Sequence, residues 1–332
     1  MKITYFNILL FSLVILFSYY CAPTSSKEEG LAKKVNFTAG THQVTDLKIA
    51  TLSTMLANRG IGEWGYSAIV QVDGRKLLFD TGQRPETVLK NAEELGFDLH
   101  EIEDVFLSHN HGDHTGGLLS LREKLKPLNP KAMSRVHVGE GIFAQRINAG
   151  NRMQEMKQKL EADGVEFIVY DKPTELFPGV WITGPVERIH DEKNYGQGGR
   201  IYTETGEIID NIPEDQSLAI NTGKGFVVVA GCSHAGIINT LDYIKSKIED
   251  KNIFTVIGGF HLVSASDEHL EWTAQQLKRV GVEKIIGAHC TGLHALYSLK
   301  ESLALSRENA VVGSVGDYFD LKDGIHAGII AR

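Results

Sequence analysis

Three cysteines in 332 residues are too few for a disulfide scaffold. Basic side chains are outnumbered, 34 Lys and Arg against 42 Asp and Glu, for a formal charge of -8. No run of them forms the electrostatic footprint that nucleic acid requires, so nucleic acid is excluded as a partner and a small-molecule substrate is expected. No apolar run reaches the roughly 20 residues of a spanning helix. What remains is 42% hydrophobic and 23% charged, the composition of a soluble globular protein with a large core. It also carries 13 histidines, and their placement carries the chemistry.

The longest apolar stretch, Ile8 to Phe17, follows Lys2 and ends in Ser18, Tyr19, Tyr20 and Cys21 before a polar run. That order reads as a signal peptide over 1–20. Cys21 resembles the lipid-attachment site of bacterial lipoproteins, although Tyr20 is bulkier than the small residue usual before it. The expectation is an exported protein, periplasmic or anchored to a membrane through a lipid on Cys21. Residues 21–44, polar and without apolar periodicity, read as a tether.

The folded body is expected over 45–332. Short β-branched runs at Leu47–Leu52, Ser67–Val72 and Lys76–Asp80 read as strands, the last two joined by the hairpin signal Asp73-Gly74. From Pro85 onward helices alternate with strands. The same alternation returns from Gly225 to Ser306, so two α/β halves are implied. Between them, 135–215 reads as an inserted cap with a glycine-rich polar patch at Asn194–Gly199.

Chemistry concentrates in Leu107–Gly117, LSHNHGDHTGG, where His109, His111, Asp113 and His114 fall within six positions after an apolar strand. Alternate residues of an extended chain face one side, so His109 and His111 can converge on one point. Asp113 and His114, at the turn into the next helix, face a second point nearby. Imidazole and carboxylate donors suit two divalent metal ions, zinc foremost and iron or manganese also compatible.

His109-Asn-His111-Gly-Asp113-His114 resembles the HxHxDH signature of the metallo-β-lactamase superfamily. LLFDTG (Leu77–Gly82) is similar to the early strand whose Asp supports the site. GCSHAGI (Gly231–Ile237), IGGFHL (Ile257–Leu262) and GAHCTG (Gly287–Gly292) resemble the subgroup named after dihydropterin-ribofuranosylaminobenzene-phosphate synthase. The resemblance implies an α/β fold, an αββα sandwich with metals at one edge, and His289 as the late ligand of the second ion. It also implies a hydrolase using a hydroxide held by a dinuclear centre, on a phosphorylated or pterin-like substrate. The alternatives are a di-iron redox protein of the same fold and a synthase-type transferase.

Where the superfamily usually bridges its metals with the Asp of a Gly-Asp pair, this chain has Gly231-Cys232-Ser233-His234. Cys232 as a thiolate and His234 as an imidazole are both candidate ligands. The usual upstream His is missing, its place taken by Glu214-Asp215-Gln216-Ser217, which favours His234. Asp113 is also a catalytic candidate, orienting or deprotonating water. His261, after a strand in GGFHL, is expected to contact substrate, with ligation as the other option. Asp80 of FDTG has no second matching Asp, so it reads as the support of a metal-bound His rather than half of a protease pair. Gly60-Ile-Gly62-Glu-Trp-Gly65 fits GxGxxG, but a strand follows it, so it reads as a loop beside the site. A Cys232–Cys290 disulfide is a lesser option.

Overall fold

The computed structural model describes residues 42–147, 150–192, 199–203 and 206–331. The expected signal peptide, Cys21 and most of the tether lie outside the described residues, as do residues 194–198 of the polar patch. No helix among the described residues is long and apolar enough to cross a membrane. The body begins slightly before the expected boundary: Val44 is buried, and its N–H donates to the Asn221 carbonyl.

The described chain opens with β1 (Leu47–Ser53), a short β2 (Leu56–Ala57) that lies outside the first sheet, and the hairpin of β3 (Ser67–Val72) and β4 (Arg75–Phe79), which with β1 begins that sheet. Asp73 and Gly74 both have positive φ, 43° and 78°, which the tight turn demands and Asp-Gly supplies at little cost. Helix α1 (Thr87–Leu95) leads to β5 (Asp104–Phe106). Helices α2 (Gly112–Thr115) and α3 (Leu118–Leu125) lead to β6 (Arg135–Gly139), and α4 (Arg152–Ala162) to β7 (Glu166–Tyr170). β8 (Thr174–Phe177) and β9 (Val180–Ile182) open the second sheet, followed by a separate hairpin, β10 (Arg200–Thr203) with β11 (Gly206–Ile209). Then come β12 (Ser217–Thr222), β13 (Gly225–Ala230), α5 (Ile237–Lys247), β14 (Ile253–Gly258), α6 (Asp267–Val280), β15 (Lys284–Gly287) and α7 (Leu293–Ser302). β16 (Ala310–Val312), β17 (Ser314–Val315), β18 (Tyr318–Asp320) and β19 (Gly324–His326) finish the chain.

One sheet runs β19-β18-β1-β3-β4-β5-β6-β7 and the other β16-β15-β14-β13-β12-β9-β8. Their facing sides share one core: Ile49, Val70, Leu77 and Phe79 meet Leu218, Ile220, Val227 and Val229. The outer side of the second sheet packs under α5, α6 and α7, and that of the first under α1, α3 and α4. This is the expected αββα sandwich. Strands covered on both faces need no polar alternation, which is why β13, GFVVVA, is buried at every position.

The inserted-cap reading of 135–215 needs correction. β6 and β7 extend the first sheet in parallel from β5, and β8 and β9 continue the second from β12. Backbone pairing makes them part of the sandwich, and among the described strands of 135–215 only the β10–β11 hairpin stands outside both sheets. The stretch from Gly112 to Leu125 is two helices, broken at Gly116-Gly117.

Candidate metal centre

The site lies where β4, β5, β13, β14 and β15 all end, so each functional side chain rides on the residues just after a buried strand. His109 follows β5 in a bend, His111 is extended, and α2 begins at Gly112, which puts Asp113 and His114 in a helical turn. The four donors fall into two groups along this change from extended to helical backbone.

The first place holds His109, His111 and His234, whose donor atoms lie within 4.8 Å of one another. Their ring centroids are 4.6 Å apart for His109–His111 and His109–His234, and 4.8 Å for His111–His234. The second holds Asp113, His114 and His289. Here His289 Nε2 is 3.3 Å from Asp113 Oδ2 and 3.3 Å from His114 Nε2. Cys232 stands between the two, its Sγ 3.4 Å from His114 Nε2 and grouped with His109 and His114. His234 thus occupies a terminal position in one triad and Cys232 a central one, so the two candidates at this strand end are not interchangeable.

A hydrogen-bonded chain behind the rings sets which nitrogen faces the centre. Asp80 Oδ2 accepts from His114 Nδ1 at 2.7 Å and from Ser108 Oγ at 2.7 Å, while its Oδ1 accepts from the Ser108 N–H. With Nδ1 donating to Asp80, His114 turns Nε2 and its lone pair inward. Ser108 Oγ also lies 3.0 Å from His109 Nδ1. His109 Nε2 is buried and has no hydrogen-bond partner among the described residues, an orphan a metal ion would satisfy. Gly231 is needed for this contact, because a Cβ there would come within 2.1 Å of Ser108 Oγ. Asp80, Ser233, His261 and His289 all hold positive φ between 47° and 54°, strain of the kind that collects at functional sites.

Electrostatics divide the two triads. Burial, with neighbouring imidazoles, pushes His109 well below the usual histidine range, and burial with His114 pushes His111 down to about 4. Burial would also lower His114, but the charge and hydrogen bond of Asp80 outweigh it and raise it. Burial would raise Asp113, yet the His289 hydrogen bond and the His114 charge hold it low. Burial and Cys290 raise the Cys232 thiol.

His261 sits at the edge beside His234, ring centroids 4.5 Å apart, and its donor atom groups with those of Cys232 and His234. Cys232 and Cys290 are free thiols, with Sγ atoms 3.1 Å apart, so the disulfide option does not hold here. The loop of Gly60–Gly65 does border the site: Trp64, 46% exposed, lies 4.7 Å from the His289 ring. Sequence reasoning missed Arg146, whose guanidinium binds Asp210 and Glu214 beside the first triad. It also read Glu214–Ser217 only as a missing histidine. Glu214 instead accepts from the Asn110 N–H inside the ligand loop, and Asp215 from the Ala235 N–H next to His234. No local pattern marks these pairs, which are 20 to 104 residues apart.

A family model described as the metallo-beta-lactamase superfamily matches residues 64–289. A protein of Methanocaldococcus jannaschii described as 7,8-dihydropterin-6-methyl-4-(beta-D-ribofuranosyl)-aminobenzene-5'-phosphate synthase is 32% identical over 291 residues, covering 82% of this chain and 97% of that protein. A solved structure, Tm1679, described as a metal-dependent hydrolase of the beta-lactamase superfamily, is 29% identical with a TM-score of 0.65, covering 82% of this chain and 98% of the other. YhfI from Bacillus subtilis, a metallo-beta-lactamase fold protein, superposes with a TM-score of 0.53 at 14% identity, covering 83% and 100%, a likeness of fold alone.

Proposed function

The chain belongs to the metallo-β-lactamase superfamily, and from that premise we propose that it is a dinuclear metal-dependent hydrolase acting on a phosphorylated or pterin-like small molecule. The observation that carries the reading is the convergence of two donor triads on one strand edge, with the buried His109 Nε2 lacking any partner among the described residues. The donors fit the metals. His109, His111 and His234 would hold one divalent ion and Asp113, His114 and His289 the other, with Cys232 between them. Imidazole, carboxylate and thiolate together suit zinc, with iron or manganese as the other options. When bound, such ions supply hydroxide at neutral pH and polarise the bond it attacks.

The chain's own residues do the rest. Asp113, held well below the usual carboxylate range, is ionised at neutral pH and can orient a water or take its proton. Asp80 keeps His114 in one tautomer. His261, at the edge beside His234, would donate a hydrogen bond to charge developing on the substrate, and Trp64 borders the site beside His289. Turnover of a panel of phosphomonoesters, phosphodiesters, lactones and β-lactams, with elemental analysis of the same sample, tests the reading. Active protein holding only trace transition metal would sink it.

The nearly full-length likeness to the Methanocaldococcus jannaschii synthase favours a second reading, a transferase using the same centre. Product analysis separates the two: a new bond to an acceptor marks transfer, and water incorporation marks hydrolysis. Export, with a lipid on Cys21, is a proposal resting on the N-terminal pattern, and mass spectrometry of native protein should find nothing before Cys21.

A further inference from the structure

A cavity of about 180 Å³ opens beside the first triad, and the hydrolase reading leaves it unassigned. Asn110, His111 and Gly112 of the ligand loop form one wall, and Arg146 with the start of α4 forms the other. No carboxylate stands among the described residues that line it.

Three sources of hydrogen-bond donors converge there. The Arg146 side chain is only 10% exposed. Its Nε donates to Asp210 Oδ2 at 2.6 Å and its Nη2 to both Glu214 oxygens at 2.9 and 3.0 Å, which fixes the guanidinium plane. Its Nη1 is buried and has no partner among the described residues. A buried cationic donor without an acceptor is costly, and a ligand oxygen would relieve it. Arg152, exposed on the first turn of α4, lays its guanidinium over Gly112, where a Cβ would come within 2.4 Å of Nη1. That contact brings the pocket's second guanidinium against the ligand loop. The third source is the N-terminus of α4 itself, an 11-residue helix whose N-cap Asn151 makes no side-chain cap bond. Its first-turn N–H groups lack intrahelical acceptors and carry the positive end of the helix dipole.

We propose that this cavity is a subsite for a phosphate monoester group of the substrate, bound by Arg146 Nη1, Arg152 and the first-turn N–H groups of α4. A phosphoryl group presents three free oxygens to donors from three directions, whereas a carboxylate presents two in a plane. The subsite anchors the non-reacting end of the molecule, and His111, shared by cavity and triad, sets how far the scissile bond lies from that anchor. It rests on the hydrolase reading for the reaction performed, but its binding chemistry does not require the metals.

The test titrates the full chain, stripped of metal by chelation, with inorganic phosphate by calorimetry at low salt. Arg152→Ala is the main variant, because Arg152 is exposed and its loss leaves no buried acid unpaired. Arg146→Lys is the second, keeping a cation against Asp210 and Glu214. The expected result is that phosphate binds the unmodified chain, that each variant weakens it about 10-fold or more, and that acetate binds about 10-fold more weakly than phosphate. Arg59→Ala, a remote surface arginine paired with Glu94, should leave the affinity unchanged. Phosphate affinity in Arg152→Ala and Arg146→Lys equal to that of the unmodified chain, affinity for acetate equal to that for phosphate, or a loss in Arg59→Ala as large as in those variants would overturn the assignment. Failure of the hydrolase reading would appear instead in the metal content and turnover of the untreated chain, leaving this metal-free titration intact.

Discussion

The two triads grow from one six-residue segment yet differ in charge and in support. The first, His109, His111 and His234, is made of imidazoles alone, and burial presses His109 and His111 toward the neutral form that binds metal. The second includes the Asp113 carboxylate and a His114 whose orientation is set by Asp80. The first therefore depends mainly on close packing of rings and meets the buried hydrogen-bond chain only through Ser108 behind His109, whereas in the second Asp80 holds His114 directly. One loop yields both because its backbone passes from extended to helical between His111 and Asp113.

Removing a ligand should break the comparison most sharply. His234→Ala is expected to lower metal content from about two ions to about one and to reduce turnover by about 1,000-fold or more, while the second triad keeps its ion. Equal metal content in this variant and the unmodified chain would remove His234 from the ligand set. Asp80→Asn should act on the other side. With the His114 tautomer no longer enforced, the affinity of the second ion should fall about 10- to 100-fold and that of the first should hold. Competitive chelator titration resolves the two, and a uniform loss at both would show that Asp80 supports the whole edge. Cys232→Ser should cost less than about 10-fold in turnover and keep both ions, because each triad retains three donors without it. Loss of an ion would make the thiolate an obligatory bridge.

The smallest effect concerns stability. Glu192 accepts the N–H groups of Ile238 and Asn239 at the start of α5, just beyond His234, and burial raises it to about 7 despite those bonds. The unfolded carboxyl ionises near its ordinary value of 4.5. Below that pH both states are protonated and the burial carries no penalty. As pH rises from 4.5 through 7 the unfolded state ionises first, so stability should decline by about 3 kcal/mol. Glu192→Gln should flatten the dependence in urea unfolding between pH 4 and 8 without changing metal content. A slope unchanged by the substitution would discard Glu192 as its source.

What was legible follows from how local each signal is. His109, His111, Asp113 and His114 stand together on one short segment, so periodicity alone assigned them to two points. Asp80 and the loop before Tyr66 were also placed correctly, each adjoining a clear strand. The order of Cys232 and His234 was not legible, since residues two apart on an extended chain face the same side, and only the turn at Ser233, with φ of 54°, decides where each goes. β6 to β9 were read as an insertion because their short, mixed runs become strands only through pairing with β5 and β12. Arg146 was invisible for the same reason: its partners Asp210 and Glu214 are 64 and 68 residues away.

Elemental analysis of the full chain, purified without added chelator and assayed from the same preparation, tests the two-triad account most directly. The account predicts about two transition-metal ions per chain in active protein, with zinc prevailing, and about one in His234→Ala. Full activity with a single ion, or with none, would contradict it.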